Sequence, residues 1–423
     1  MVSKGSSLAG DHSGPISDQV EAPAIETAEE EEDEYNAKGT WIASGAHFAH
    51  DLYPSYIGVL IPYVQSQLGI SLALASLMVP AQQMPSILQP FIGYFADRTS
   101  RRLFVVLTPG IAALSLSMIG LAPHLSVVII LLLISGLASA AFHAPAVAMV
   151  GEFGGKKMGR AMAIFMAGGE LARTMGPLVI TAAIALFTFR GSFVVLVFGV
   201  AASIILYFTL DTSKGDARAK RGNQAALKPL LKARIRPLTG LFGYSIVKAV
   251  ATVPFHFFLV ALLVSKGYSE WYAGFALSLL FGAGVIGGFI GGMVSDRIGR
   301  KITLTIVTLL TAPLFYLYLW LEDGSWWVLS VLMVAGLVSM SVRPVNLAQT
   351  QELFPEARGP MAGMMLAVGF VTMSLASIGF GTMADSIGIE TAFWIIASMS
   401  FLALPFIALL PKQGEALPQP PKE

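Results

Sequence analysis

The chain contains no cysteine. That excludes disulfides and thiolate metal sites, and it leaves the compartment open. Charge is also scarce: 13% of the 423 residues are Asp, Glu, Lys or Arg, against 55% hydrophobic residues. No soluble domain of this length needs so much apolar surface, so a polytopic membrane protein is expected. The formal net charge is +1 and is distributed by loop, so no nucleic-acid partner is expected. No nucleophile–base pattern is visible, which argues against an enzyme and against a cofactor. Of the histidines and acids inside apolar runs, only His47 and Asp51 share a helix at a ligand-like spacing, so no metal site is expected. The first forty residues lack a basic segment followed by an apolar core, so no cleaved signal peptide is expected.

What is present is a series of long apolar runs. They fall at 41–65, 73–96, 103–122, 125–150, 160–186, 190–210, 238–264, 270–295, 302–321, 326–350, 359–385 and 389–411. Each is near the roughly 20 residues that a spanning helix requires, which predicts twelve transmembrane helices. Basic residues gather in alternate loops: Arg98, Arg101 and Arg102; Lys156, Lys157 and Arg160; Lys214 to Arg236; Arg297, Arg300 and Lys301. Positive charge stays inside, so both termini are expected in the cytoplasm. The expected division is a disordered acidic tail over 1–40, holding the run Glu29 to Glu34, and a six-helix bundle over 41–210. A cytoplasmic linker over 211–237, a second bundle over 238–411 and a short tail over 412–423 complete it.

One short turn occurs twice. Gly93, Asp97, Arg98, Arg101 and Arg102 are followed 199 positions later by Gly292, Asp296, Arg297, Arg300 and Lys301. The glycines let a neighbouring helix approach closely. Each acid stands at the end of an apolar helix, where its own dipole opposes it, so it needs a cation or another helix N-terminus. A single copy reads equally as a topogenic basic loop; two copies in matching order indicate related halves. The repeat extends to His143 and Arg343, 200 positions apart, each near the end of the fourth run of its half. The fold class expected is therefore an all-α membrane protein of two pseudo-symmetric six-helix bundles, with a substrate site between them.

Ionisable residues inside such runs are costly and usually face a cavity or a partner. His47, His50 and Asp51 lie at i, i+3 and i+4 on one face of the first run. Asp51, with His50, is placed to carry a proton, or is a buried acid neutralised by histidine. Glu170 and Arg173, at i and i+3, form either a structural pair or a pair that opens during function. Gly168, Gly169, Gly176 and Pro177 around them allow close packing or a bend. Arg343, beside Pro344, suits a carboxylate, phosphate or phosphonate through two parallel hydrogen bonds, or pairs with an acid elsewhere. Lys248 is a second charge for the same ligand, and His47, His143 and Arg173 complete the candidate contacts; His256 lies further out. Deep bases (Arg173, Lys248, Arg343) outnumber deep acids (Asp51, Glu170) by one, which favours an anion.

The duplicated turns, the twelve runs and the central basic loop resemble the major facilitator superfamily over residues 41–411. Within it, His47 and Phe48 with Asp51, Leu88 to Pro90 with Gly93, Tyr94 and Asp97, Phe142 with His143, and Ile164 and Phe165 with Gly168, Gly169, Gly176 and Pro177 resemble the fosmidomycin resistance protein group. The resemblance implies a carrier driven by protons and working by rocking of two halves. It implies that the Asp97 and Asp296 turns latch the cytoplasmic side and that the Gly176–Pro177 helix serves antiport. Ala144 separates His143 from Pro145, and Glu170 and Arg173 stand where the antiporter pattern has small or neutral residues.

The expectation is thus a monomeric, multi-pass carrier of the inner (plasma) membrane, in contact with lipid, protons and a small-molecule substrate. Proton-coupled export of an anionic or amphipathic compound or drug is expected, with proton symport of an organic anion as the alternative. A non-transporting receptor is a third reading.

Overall fold

The computed structural model describes residues 35–96, 98–211, 227–321, 325–412, 415 and 417. Asp97, the acidic run Glu29 to Glu34 and most of the expected linker lie outside the described residues. All regular secondary structure among the described residues is helical. The helices are α1 Ala37–Asp51, α2 Ile57–Leu68, α3 Leu72–Ser76, α4 Met78–Gln83, α5 Gln89–Ala96, α6 Arg101–Ser117, α7 Leu125–Gly154, α8 Met158–Gly191 and α9 Leu196–Thr209. After the linker come α10 Leu227–Ala233, α11 Ile235–Phe257, α12 Leu259–Ser265, α13 Glu270–Ile298, α14 Arg300–Trp320, α15 Trp326–Met340, α16 Val342–Leu353, α17 Arg358–Ile387, α18 Ile389–Met399 and α19 Leu404–Leu409.

Local chemistry sets many of the boundaries. Asn36, Ser71, Ser100 and Ser269 cap α1, α3, α6 and α13 by accepting a backbone N–H with the side-chain oxygen. Gly69 ends α2 in the left-handed region, at φ 60°, which costs glycine little. Among the described residues, eight helical stretches are long and apolar enough to cross a membrane, by length and composition; one of them, Leu125–Thr209, contains α7, α8 and α9. The first two expected runs are broken instead. The first splits at Pro54 between α1 and α2, and the second carries Pro80, Pro85 and Pro90 through α3, α4, a 3-10 turn and α5. Proline removes a backbone donor and crowds the preceding turn, so a continuous helix gives way to short pieces there.

Packing is uneven along the molecule. One large core draws on both halves, from Leu52, Tyr56, Val64 and Met78 to Phe255, Leu262, Leu277 and Phe393. There α8 packs on α13, α3 and α4 on α17, and α2 on α11 and α12. Asp385, near the end of α17, accepts the N–H of Leu72 at 3.0 Å and of Ala73 at 2.8 Å, at the start of α3. Toward the Asp–Arg turns the core divides. Ala43, Val105, Phe142, Phe165 and Leu206 form one cluster; Leu241, Leu304, Val345, Phe354 and Ile407 form another. The two halves are therefore joined at one end and separately cored at the other.

The turns themselves carry matching contacts. Arg101 binds Glu152, and Arg300 binds Glu352 at 2.9 Å. Arg102 donates to the carbonyls of Tyr207 and Leu210, and Lys301 to those of Ala408 and Leu410. In both halves a cation thus meets the open carbonyls at the end of a helix, where the dipole favours it. Asp296 is held by Arg300 within its own turn, at 2.6 Å.

Candidate functional site

The polar residues of the first half converge where α1, α7 and α8 meet. Ser44 Oγ donates to the Ile164 carbonyl at 2.7 Å, docking α1 on α8. Gly169 makes the next contact possible, because a Cβ there would stand 2.5 Å from Cε1 and Nε2 of His47. Gly176 likewise faces the Leu52 carbonyl, with a Cβ 2.8 Å away. These glycines serve close packing, one of the two roles their positions in the sequence allow.

Asp51 lies between two histidines. Its Oδ2 is 3.2 Å from His47 Nε2, and its Oδ1 is 3.4 Å from His143 Nε2. The opposite nitrogen of each ring is fixed: His47 Nδ1–H donates to the Phe165 carbonyl at 2.9 Å, and His143 Nδ1–H to the Ser139 carbonyl at 2.8 Å. A carbonyl only accepts, so both rings carry hydrogen on Nδ1 and turn Nε2 toward the carboxylate. The contact of Asp51 Oδ1 with His143 is the longer of the two. His47 stacks on Phe165 with ring centroids 4.2 Å apart. His50 is fully buried, stacks on Phe142 at 4.5 Å, and neither ring nitrogen has a hydrogen-bond partner.

A second cluster crosses between the halves. Arg173 Nη1 donates to both oxygens of Glu170, at 3.1 and 3.0 Å, on one face of α8. Arg343 Nη1, on α16 of the other half, is 3.9 Å from Glu170 Oε1. Glu170 thus sits between a guanidinium of its own helix and one from the opposite half. Arg343 is 63% exposed, against 27% for Arg173. The clusters are in electrostatic contact: Arg173 acts on His143, and Arg343 on Asp51 as well as on Glu170.

Lys248 is engaged elsewhere. Lys248 is 4% exposed and donates to Thr311 Oγ1 at 2.6 Å and Ser400 Oγ at 3.2 Å, all within the second half. Its ammonium is hydrogen-bonded to hydroxyls of the second half alone. His256 is half-buried beside Phe281, with Nε2 unpartnered, and is in electrostatic contact with Arg173 and Arg343. Asp385 is a residue that the sequence reading passed over, although the signal was available. It is an acid near the end of a long apolar helix, the same misfit with the dipole that singles out Asp296. Arg234 was equally hidden in a basic linker. It is fully buried, donates to both Glu356 oxygens at 2.8 Å and caps the Leu353 carbonyl at 2.8 Å. That hydrogen bonding holds the Glu356 carboxyl below its ordinary range.

Comparison with known proteins agrees with this architecture. The sequence pattern of the Major Facilitator Superfamily matches residues 43–377 and 259–423. The chain is 26% identical over 373 residues to YfnC of Bacillus subtilis (strain 168), an uncharacterized MFS-type transporter, covering 85% of this chain and 89% of that protein. It is 26% identical over 381 residues to the fosmidomycin resistance protein of Escherichia coli (strain K12), with the same 85% and 89% coverage. Among solved structures, a bacterial homolog of the human lysosomal transporter Spinster, inward-facing and occupied, has a TM-score of 0.76 at 14% identity, covering 89% of this chain and 96% of that one. The nucleoside transporter NupG has a TM-score of 0.71 at 15% identity, covering 88% and 99%. These proteins are transporters and not enzymes, and the apolar helices make this a multi-pass membrane protein that handles a small-molecule substrate. The chain belongs to the Major Facilitator Superfamily.

Proposed function

We propose that the chain is a proton-coupled secondary transporter that exports a small anionic or amphipathic organic compound by alternating access. In this reading twelve spans form bundles over 41–210 and 238–411 in the inner (plasma) membrane. Both termini and the Asp97 and Asp296 turns face the cytoplasm, and the chain acts as a monomer. The observation that carries it is the placement of Asp51 between His47 Nε2 and His143 Nε2, with both Nδ1–H groups committed to carbonyls. A neutral ring so fixed would set a lone pair against the carboxylate. A proton must therefore lie in each contact, on the ring or on the acid. Taking one proton away changes the force between α1 and α7, which is what a coupling site requires. His50, stacked on Phe142 beside the cluster, is the reserve base. Arg173, Arg343 and His143 are the substrate contacts; Arg343 offers its planar fork from the opposite half. The relative named for fosmidomycin resistance favours export.

One observation favours proton symport of an organic anion instead. Glu170 lies between Arg173 and Arg343. An anion that took both guanidinium groups would leave Glu170 without its counter-charge and draw a proton to it, so anion and proton would bind together. Purified protein in proteoliposomes separates the two readings, with fosmidomycin and a panel of anionic metabolites as probes. An antiporter concentrates its substrate in vesicles that are acid inside, a symporter in vesicles that are acid outside. Asp51→Asn is expected to abolish accumulation driven by the gradient and to spare counterflow exchange. If Asp51→Asn still accumulates substrate, Asp51 is not the proton site.

A further inference from the structure

The cluster around Asp51 has a second chemical capacity. His47, Asp51 and His143 each offer one ligand atom, and these three atoms lie within 4.8 Å of one another. Ligands at about 2.0–2.1 Å from a tetrahedral zinc ion stand roughly 3.3 Å apart. The separations of 3.2 Å between His47 Nε2 and Asp51 Oδ2, and 3.4 Å between His143 Nε2 and Asp51 Oδ1, are already of that length. The support behind the ligands is also in place. A metal-binding histidine donates its other ring N–H to a carbonyl or carboxylate, which fixes the tautomer and aims the free nitrogen. Both rings do so here, to Phe165 and Ser139. Asp51 Oδ1 is buried, and its ion-pair partner, His143 Nε2, is itself a ligand of the site, so both groups can turn to a cation that replaces the proton between them. His143 is 28% exposed and Asp51 13%, so the cluster is not sealed from its surroundings.

We propose that His47, Asp51 and His143 form a binding site for one divalent transition-metal ion of the Zn2+ type. Two imidazoles and one carboxylate suit zinc better than magnesium or calcium, which prefer all-oxygen sites. The sequence conceals this site because a single helix supplies only His47 and Asp51; the third ligand arrives from α7. The ion would hold the carboxylate and both Nε2 lone pairs at once and so arrest transport, a consequence that rests on Asp51 being the coupling residue.

The test uses the full chain, purified without a polyhistidine tag, with His12→Gln and His124→Gln introduced to remove other imidazoles. Calorimetric titration with ZnCl2 is expected to show one ion per chain. His47→Gln and His143→Gln should each weaken it by at least about tenfold, in line with the loss of a metal-site group. His256→Gln should leave binding unchanged, and MgCl2 should give no heat. X-ray absorption at the zinc edge should show two imidazoles and an oxygen ligand, a readout that does not depend on any variant folding. Binding that survives both His47→Gln and His143→Gln, or an absorption spectrum without imidazole, overturns the proposal. Zn2+ that binds at the triad and leaves substrate flux intact upholds the metal site and removes Asp51 as the coupling residue.

Discussion

Asp385 makes a contact that only one arrangement of the two halves allows. Its carboxylate, on α17, accepts the N–H groups of Leu72 and Ala73 on α3 at 3.0 and 2.8 Å. Those helices belong to opposite halves, and the contact lies at the end where a single core spans both. When that end opens, both bonds break. A hydrogen bond to a charged group contributes about 1.5–3 kcal/mol when buried, and less where water reaches it. One of these bonds is part-buried and the other exposed, so the pair is worth about 2 kcal/mol toward this state. That corresponds to about a 30-fold change in the equilibrium between states, since about 1.4 kcal/mol is tenfold. Asp385→Ala is expected to shift the population by that factor toward closure at the Asp–Arg turns. Because the chain has no cysteine, it needs no background engineering for thiol labelling. Spin labels at Lys157→Cys and Arg358→Cys, both exposed and in opposite halves, report the separation at the turn end by pulsed electron resonance. Asp385→Ala should enlarge the short-distance population; Asp385→Asn, which keeps an acceptor without the charge, should do so less. An unchanged distance distribution in Asp385→Ala would refute the assignment of Asp385 as a latch between halves.

Three further outcomes follow from the same geometry. Arg343→Lys keeps the charge and loses the planar fork, so KM for an anionic substrate should rise about tenfold with kcat less affected; an unchanged KM removes Arg343 from the substrate site. Gly169→Ala places a methyl against the His47 ring, an overpacking of about 1–3 kcal/mol, and should lower gradient-driven transport while the protein still reaches the membrane. Glu356→Gln should lower the melting temperature at pH 7. The folded-state pKa of Glu356 is depressed by Arg234, so its stabilisation is present above the unfolded value and lost as pH falls through the folded one. The deficit of Glu356→Gln should therefore shrink below about pH 4, and a deficit independent of pH would mean that the carboxylate charge does not matter.

The sequence was most legible where physics leaves one solution. Long apolar runs in a chain with so little charge must be helices in lipid, because no water is present to satisfy an open backbone. The charged turns were legible because each copy has to place a cation against helix-end carbonyls, as Arg102 and Lys301 do. Where proline accumulates, the reading of continuous helices over 41–65 and 73–96 gave way to short segments. Within the site, neighbours on one helix were legible: His47 with Asp51, and Glu170 with Arg173, follow from spacing alone. Partners from other helices were not. Nothing in the spacing brings His143 to Asp51, Arg343 to Glu170, or Asp385 to the start of α3. Nor does spacing show that Thr311 and Ser400 take the ammonium of Lys248, the second charge expected on the ligand of Arg343.

The repeat itself explains why the chemistry is lopsided. At the offset that relates Glu152 to Glu352, the first-half residues His47, His50 and Asp51 correspond to Val247, Val250 and Ala251. Glu170 and Arg173 correspond to Phe370 and Met373. His143 is the exception, since its counterpart Arg343 is also ionisable, although His143 meets Asp51 of its own half and Arg343 meets Glu170 of the other. The scaffold at the turns is therefore duplicated, whereas the ionisable groups facing the cleft are not. A symmetric pair of sites would bind the same ligand in both halves and gain nothing from a change in their relative tilt. An acid–histidine cluster in one half, facing a lone guanidinium from the other, makes the electrostatic energy depend on how the halves sit. On that argument, transplanting the acid as Ala251→Asp should not restore coupling to Asp51→Asn, because Val247 and Arg343 stand where the first half has His47 and His143.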